Sequence, residues 1–250
     1  MIDGLVEGCG DDSGLKGRAS IVLVSGWSFD SSMWRNLVEG YVARGGDPSV
    51  IHCLDWLDFG HWIFDGADCP VAKKYSGKNV LWLGWSLGGA LILEALGRKK
   101  LSPHLSVILS ASPRFLQDTA RGWQGMSEKN WQALRRQVGR SPEAALAGFD
   151  AWLGLPAGCN RQQDVIDLQQ GLDWLAVVDQ RASLGRATTP IHWVFDSADP
   201  LLPTQPWADV CDSERQLFTT LEGGHALPWR HEDYLMNLLL TFSARGIENV

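Results

Sequence analysis

The stretch from Asn79 to Leu96 constrains this chain more than any other. Asn79-Val80-Leu81-Trp82-Leu83 is an apolar run of strand character, and Gly84-Trp85-Ser86-Leu87-Gly88 follows at once. Gly89-Ala90-Leu91-Ile92-Leu93-Glu94-Ala95-Leu96 then reads as a helix. A strand that becomes a helix through one G-x-S-x-G step holds its serine in a strained backbone conformation, with only small residues tolerated beside it. The Ser86 Oγ then projects from the C-terminal edge of a sheet. The helix N-terminus behind it offers unpaired N–H groups to a developing negative charge. The expectation is a nucleophilic serine hydrolase. The competing reading is a plain Gly/Ser turn between a strand and a helix.

The surrounding pattern supports an α/β chain. Ile21-Val22-Leu23-Val24 is fully apolar, as a strand buried on both faces requires. Further strands are expected at 49–54, 105–109, 190–195 and 216–221. Helices are expected at 31–43, 88–98 and 231–244, the last with Tyr234, Leu235, Leu238, Leu239 and Phe242 on one face. Strands alternating with helices imply a mostly parallel, doubly wound sheet with helices on both faces. From Pro113 to Leu184 the strand signal disappears. That segment is helical and Gln/Arg-rich, with helix starts at Ser127-Glu128-Lys129-Asn130 and at Ser141-Pro142-Glu143. It is expected to be a helical cap over the C-terminal sheet edge, where ligands bind in open α/β sheets. The chain thus divides into a first core part at 1–112, a cap at 113–184 and a second core part at 185–250. Residues 1–18, rich in Gly and Asp, are expected to form a short hairpin or loose arm.

Composition removes several function classes. A net charge of −7 disfavours general binding to nucleic acid or to an anionic membrane. The first residues, Met1-Ile2-Asp3-Gly4-Leu5-Val6-Glu7, have neither the basic nor the apolar region of a signal peptide. No apolar run approaches the roughly 20 residues of a membrane span. Cys9, Cys53, Cys69, Cys159 and Cys211 are scattered and never spaced as C-x-x-C. They read as reduced thiols, so a cytoplasmic location is expected, and a monomer. Trp27, Trp82, Trp85, Trp152 and Trp229, out of 13 tryptophans, fall near the motifs and suggest a Trp-lined pocket for an extended apolar arm. The remaining tryptophans are expected to be core.

A serine nucleophile needs a base to take its proton and an acid to orient the base. In one common chain order these follow as Ser, then Asp/Glu, then His. His225, in Gly223-Gly224-His225-Ala226, follows the strand at 216–221, and small neighbours let its ring approach the nucleophile. His52, His61, His104, His192 and His231 lack this setting, with His61 placed in a loop. Two carboxylates compete for the acid in Phe195-Asp196-Ser197-Ala198-Asp199-Pro200-Leu201-Leu202-Pro203. Asp199 is preferred because it lies in the turn proper and precedes Leu-Leu-Pro; Asp196 stays open. The oxyanion is expected between the N–H groups of Leu87 and of Trp27 in the loop Ser25-Gly26-Trp27-Ser28. Each donor of this kind is worth about 3–4 kcal/mol in the transition state. No metal or organic cofactor is required.

These residues resemble the α/β-hydrolase superfamily and, more narrowly, the pimeloyl-[acyl-carrier protein] methyl ester esterase family of biotin synthesis. The matching blocks are Gly26-Trp27 with Met33-Trp34-Arg35, Trp82 to Gly89, Ala111-Ser112-Pro113-Arg114-Phe115, Gly171-Leu172 with Val178-Asp179, and Gly224-His225-Ala226. The resemblance implies an α/β-hydrolase fold and hydrolysis of a pimeloyl methyl ester held on an acyl-carrier protein. It implies Ser86, Asp199 and His225 as the triad, Trp27 and Leu87 as the oxyanion hole, and Phe149 as an acyl-channel aromatic. Ser25-Gly26 stands where the family has His-Gly. The family's cap arginines do not align, Ala144 and Gly148 falling near two of those positions. From Arg114 to Arg140, however, six basic residues (Arg114, Arg121, Lys129, Arg135, Arg136, Arg140) face only Asp118 and Glu128. A basic face on an acidic protein suits an acidic carrier and would steer its approach, the alternative being a solvated helix face. Fold and triad do not set the substrate, so a thioesterase, a short-chain esterase and a non-catalytic hydrolase-like binding protein remain open.

Overall fold

The computed structural model describes residues 19–156, 164–184, 188–202 and 215–245. The N-terminal arm expected at 1–18, Pro203, and Cys9, Cys159 and Cys211 lie outside these residues.

Six strands form one parallel sheet: β1 (Ser20–Val24), β2 (Ile51–Leu54), β3 (Val80–Trp85), β4 (Leu105–Leu109), β5 (Ile191–Phe195) and β6 (Gln216–Thr220). Their spatial order is β2-β1-β3-β4-β5-β6. The order reverses at β1, which pairs with β2 on one side and β3 on the other. The crevice above such a reversal, at the carboxyl ends of the strands, is where open α/β sheets bind ligands.

Side-chain alternation along the strands builds two cores. Ile21, Leu23, Leu81, Leu83, Val107 and Leu109 pack with α1 (Arg35–Ala43) and α10 (Glu232–Arg245). Val22, Val24, Val80, Trp82, Ile108 and Trp193 pack on the opposite face with α2 (Trp56–Phe64) and α4 (Leu87–Gly97). Burial on both faces is why these strands read as unbroken apolar runs. The short helix α3 (Pro70–Lys74) leads into β3.

The segment holding His61 is helical, and the helix expected at 31–43 starts as a tighter turn. The segment Trp56–Phe64 carries only Asp58 and His61 as polar side chains, because most of α2 is buried between the sheet and a cap helix. His61 therefore lies in a helix and not in the expected loop. The helix expected at 31–43 begins as a 3-10 turn over Ser31–Trp34, with Asp30 accepting from the Ser32 N–H, before α1 takes over.

Between β4 and β5 the described residues hold α5 (Glu128–Arg140), α6 (Pro142–Leu153), α7 (Val165–Val177) and α8 (Arg181–Leu184). Both expected helix starts are present. Ser127 accepts a capping bond from the Asn130 N–H at 3.2 Å. At α6 the start rests on proline alone, since Ser141 makes no side-chain cap. Arg135 joins α5 to α7 by a two-point ion pair with Asp173, at 2.6 and 2.8 Å. The Trp131 indole N–H donates to Leu172 O at 2.9 Å across the same seam. These helices are held to the sheet layer by Trp174, which packs edge-on to Trp56 and stacks on Phe64. Asp179 binds both Arg114 and Arg181, and Arg181 also reaches Asp118. The last helices are α9 (Leu227–Arg230) and α10.

Candidate active site

Ser86 sits between β3 and α4 with φ 55° and ψ −120°, a region side-chain-bearing residues rarely occupy. Such backbone strain costs about 1–3 kcal/mol and persists only where the surroundings enforce it. Here the enforcement is steric. A Cβ at Gly84 would stand 2.5 Å from the Gly88 carbonyl carbon, and one at Gly88 would stand 2.5 Å from Ser25 O. Helix α4 therefore packs directly on the ends of β3 and β1, which only glycine at both positions allows. The Ser86 N–H is anchored to Leu109 O at 2.9 Å.

The loops after β5 and β6 bring two further groups to this point. The His225 Nε2 lies 2.9 Å from Ser86 Oγ, and its Nδ1 lies 2.7 Å from Asp199 Oδ2. His225 and Asp199 are both buried. The second carboxylate oxygen of Asp199 accepts the Leu201 N–H at 2.9 Å, which pins its orientation. From behind, the Trp85 indole N–H donates to His225 O at 2.9 Å. Phe29 and Trp229 pack against Trp85 in turn.

Asp196, the rival carboxylate, is engaged elsewhere. Its Oδ2 accepts the N–H groups of Gly223 and Gly224, both at 2.6 Å, and its Oδ1 accepts the Ala198 N–H at 2.8 Å. It thereby ties the loop after β5 to the loop that carries His225. Burial alone would raise its pKa, but the backbone donors Ala198, Gly224 and Gly223, with nearby His231, hold it below the usual carboxylate range. A depressed folded pKa makes Asp196 stabilising above its unfolded value of about 3.9, and that contribution disappears as pH falls through the folded value. Acid unfolding followed by circular dichroism should therefore have a component that Asp196→Asn removes. An unchanged acid limb in that variant would contradict the assignment.

Leu87 follows Ser86 directly, and Trp27 lines the same cavity as Ser86. Leu87 is the first residue of α4, so its N–H has no acceptor within the helix. Trp27 follows β1, and its indole N–H donates to Leu168 O of α7 at 2.8 Å, tying the loop after β1 to the cap. Ser25 is fully buried and accepts the Trp56 N–H at 3.1 Å.

Ser86 and His225 line a narrow cavity of about 30 Å³ between the sheet edge and the cap. Its walls are Phe115, Leu134, Phe149, Leu172, Leu175 and Leu202, with Trp27 at the base. Phe149 meets Trp27 edge-on, at 5.1 Å between ring centroids.

The expected Trp-lined pocket is thus a Leu/Phe-lined one. Of the five tryptophans singled out, Trp27 alone lines it. Trp82 is core beneath α2, Trp85 and Trp229 pack behind His225, and Trp152 is exposed on α6. The leucine wall had no sequence signal beyond ordinary helix amphipathicity. The expected basic face is also reduced. Arg114 and Arg135 are half-buried and committed to Asp179 and Asp173, partners 65 and 38 positions away. Arg121, Arg136 and Arg140 are exposed.

A parallel sheet with a strained serine after its third strand, and a cap over its carboxyl edge, defines the class, and the chain belongs to the alpha/beta hydrolase family, whose model matches residues 21–236. Among curated proteins it is similar to the pimeloyl-[acyl-carrier protein] methyl ester esterase of Photobacterium profundum. The two are 27% identical over 248 residues, covering 90% of this chain and 94% of that protein. The protein of the same name from Yersinia pseudotuberculosis serotype I is 26% identical, over 91% and 94% of the two chains. Among solved structures, an esterase from Exiguobacterium antarcticum aligns with a TM-score of 0.72 at 17% identity, covering 91% of this chain and 93% of that one. The enol-lactonase from Burkholderia xenovorans aligns at 0.67 and 12%, over 91% and 92%. At these identities the two structures show the shared fold.

Proposed function

We propose that the chain is a serine carboxylesterase that removes the methyl group from a pimeloyl methyl ester carried on acyl-carrier protein. The observation that carries this reading is the hydrogen-bonded line Asp199–His225–Ser86 at the mouth of an apolar cavity. Relatives bearing that name along nearly the whole chain support the substrate.

In the proposed reaction His225 Nε2 takes the Ser86 proton as Oγ attacks the ester carbonyl. Asp199 holds the imidazole in the tautomer with its proton on Nδ1 and stabilises the cation that forms. The N–H groups of Leu87 and Trp27 receive the oxyanion. His225 then protonates the departing methanol, and water repeats the sequence to release the free carboxylate. The apolar wall suits a methylene chain, which must lie extended for its distal ester to reach Ser86. For the carrier, Arg121, Arg136 and Arg140 are the proposed contacts, because Arg114 and Arg135 are neutralised within the fold. No helix among the described residues is long and apolar enough to cross a membrane. A cytoplasmic location belongs to this reading, and the free thiols of Cys53 and Cys69 fit a reducing compartment.

The test is incubation with pimeloyl-[acyl-carrier protein] methyl ester, following methanol and the intact pimeloyl-carrier thioester separately, with Ser86→Ala as blank. Methanol release with the thioester retained is the expected result. Cleavage of the thioester instead would make the enzyme a thioesterase. Turnover of simple aryl esters alone would keep the hydrolase and remove the carrier substrate.

A further inference from the structure

Ser110, immediately after β4, carries two costs that no structural role explains. It adopts φ 49°, where side-chain-bearing residues are strained. Its Oγ is buried and has no hydrogen-bond partner among the described residues, and the residue lines the same cavity as Ser86 and His225. Glycine there would relieve the first cost and remove the second. The cavity's other hydroxyl apart from Ser86, that of Ser112, is already spent on Arg114 O at 2.9 Å.

Topology says which reacting atom this hydroxyl can serve. Trp85 pairs with Leu109, and the Ser86 N–H bonds Leu109 O, so Ser110 lies one step beyond the paired register, beside the nucleophile. Trp27 comes from β1, on one side of β3, whereas Ser110 comes from β4, on the other. That second side is where β5 and β6 deliver Asp199 and His225. A carbonyl oxygen drawn toward the Trp27 side leaves the departing or attacking oxygen on the His225 side.

We propose that the Ser110 hydroxyl is a further catalytic group, which binds the alcohol oxygen as it leaves and the water oxygen as it attacks. This rests on the esterase reading above. In deacylation the water gives one proton to His225 Nε2 while its oxygen bonds to the acyl carbon. A second lone pair on that oxygen accepts the Ser110 O–H. Collapse breaks the bond from the acyl carbon to Ser86 Oγ, and the proton on His225 passes to Ser86. Ser110 neither gains nor loses a proton overall.

The experiment compares wild type, Ser110→Gly and Ser110→Ala on an activated nitrophenyl ester. The burst reports acylation, where the leaving group needs little help, and the steady state reports deacylation by water. Melting temperature is measured in parallel. The expected result is a retained burst, a steady-state rate lowered about tenfold, and, for Ser110→Gly, a melting temperature equal to or above wild type. Loss of rate with a matching loss of melting temperature in both variants would make Ser110 structural and overturn the proposal. So would an unchanged steady-state rate. A wild-type protein without burst or turnover would instead refute the esterase reading itself.

Discussion

Ser86→Ala is expected to lower kcat for ester hydrolysis about 10⁶-fold while the protein stays folded. A serine nucleophile acts as a unit with its base, so removing Oγ forfeits the covalent route and not one hydrogen bond. What survives is binding and oxyanion stabilisation, worth about 10³–10⁴ over water in a comparable triad. The substitution removes an oxygen and adds no volume, and Gly84 and Gly88 still permit the turn, so thermal unfolding should move little. Labelling by a fluorophosphonate probe should vanish with the activity. A variant that keeps more than a tenth of wild-type kcat would move the nucleophile away from Ser86.

Asp199→Asn is expected to cost about 10⁴-fold in kcat, the scale seen when a triad acid becomes an amide. The carboxylate now accepts from His225 Nδ1 at 2.7 Å and from the Leu201 N–H at 2.9 Å. An asparagine keeping the Leu201 bond through its oxygen would turn its NH₂ toward Nδ1. That favours the tautomer with the proton on Nε2, which cannot accept from Ser86. Asp196→Asn provides the contrast. Its oxygens hold backbone N–H groups of Gly223, Gly224 and Ala198, so it should weaken the fold more than it slows the chemical step. Paired kcat and melting measurements on the two variants decide the matter. If Asp196→Asn proved the slower enzyme at equal stability, the acid would be assigned to the wrong residue.

The contrast between these aspartates shows how far a linear reading reaches. Both lie in one post-strand turn, three positions apart, and the Asp199 N–H donates to Asp196 O within it. Residue type and position give each a reason to be the acid. What separates them is where the chain from β6 returns: its glycine N–H groups meet Asp196 and its imidazole meets Asp199. The arginines of the cap behave alike. Arg114 and Arg135 count as positive in the sequence, but distant aspartates neutralise them, and that pairing has no local signature.

The sequence by itself determined the parallel sheet and the strained serine, because both follow from short-range rules. Period-two and unbroken apolar runs place strands, and two glycines around Ser86 answer a backbone demand within five residues. Tertiary structure alone decided which carboxylate meets His225, which tryptophans leave the pocket, which arginines stay exposed, and that Ser110, beside the nucleophile, has no hydrogen-bond partner among the described residues. Each of these depends on side chains from different strands and helices meeting at one sheet edge. Hydrogen bonds and packing at that range are set by the crossing of elements, and a single side chain's sequence neighbours carry no record of it.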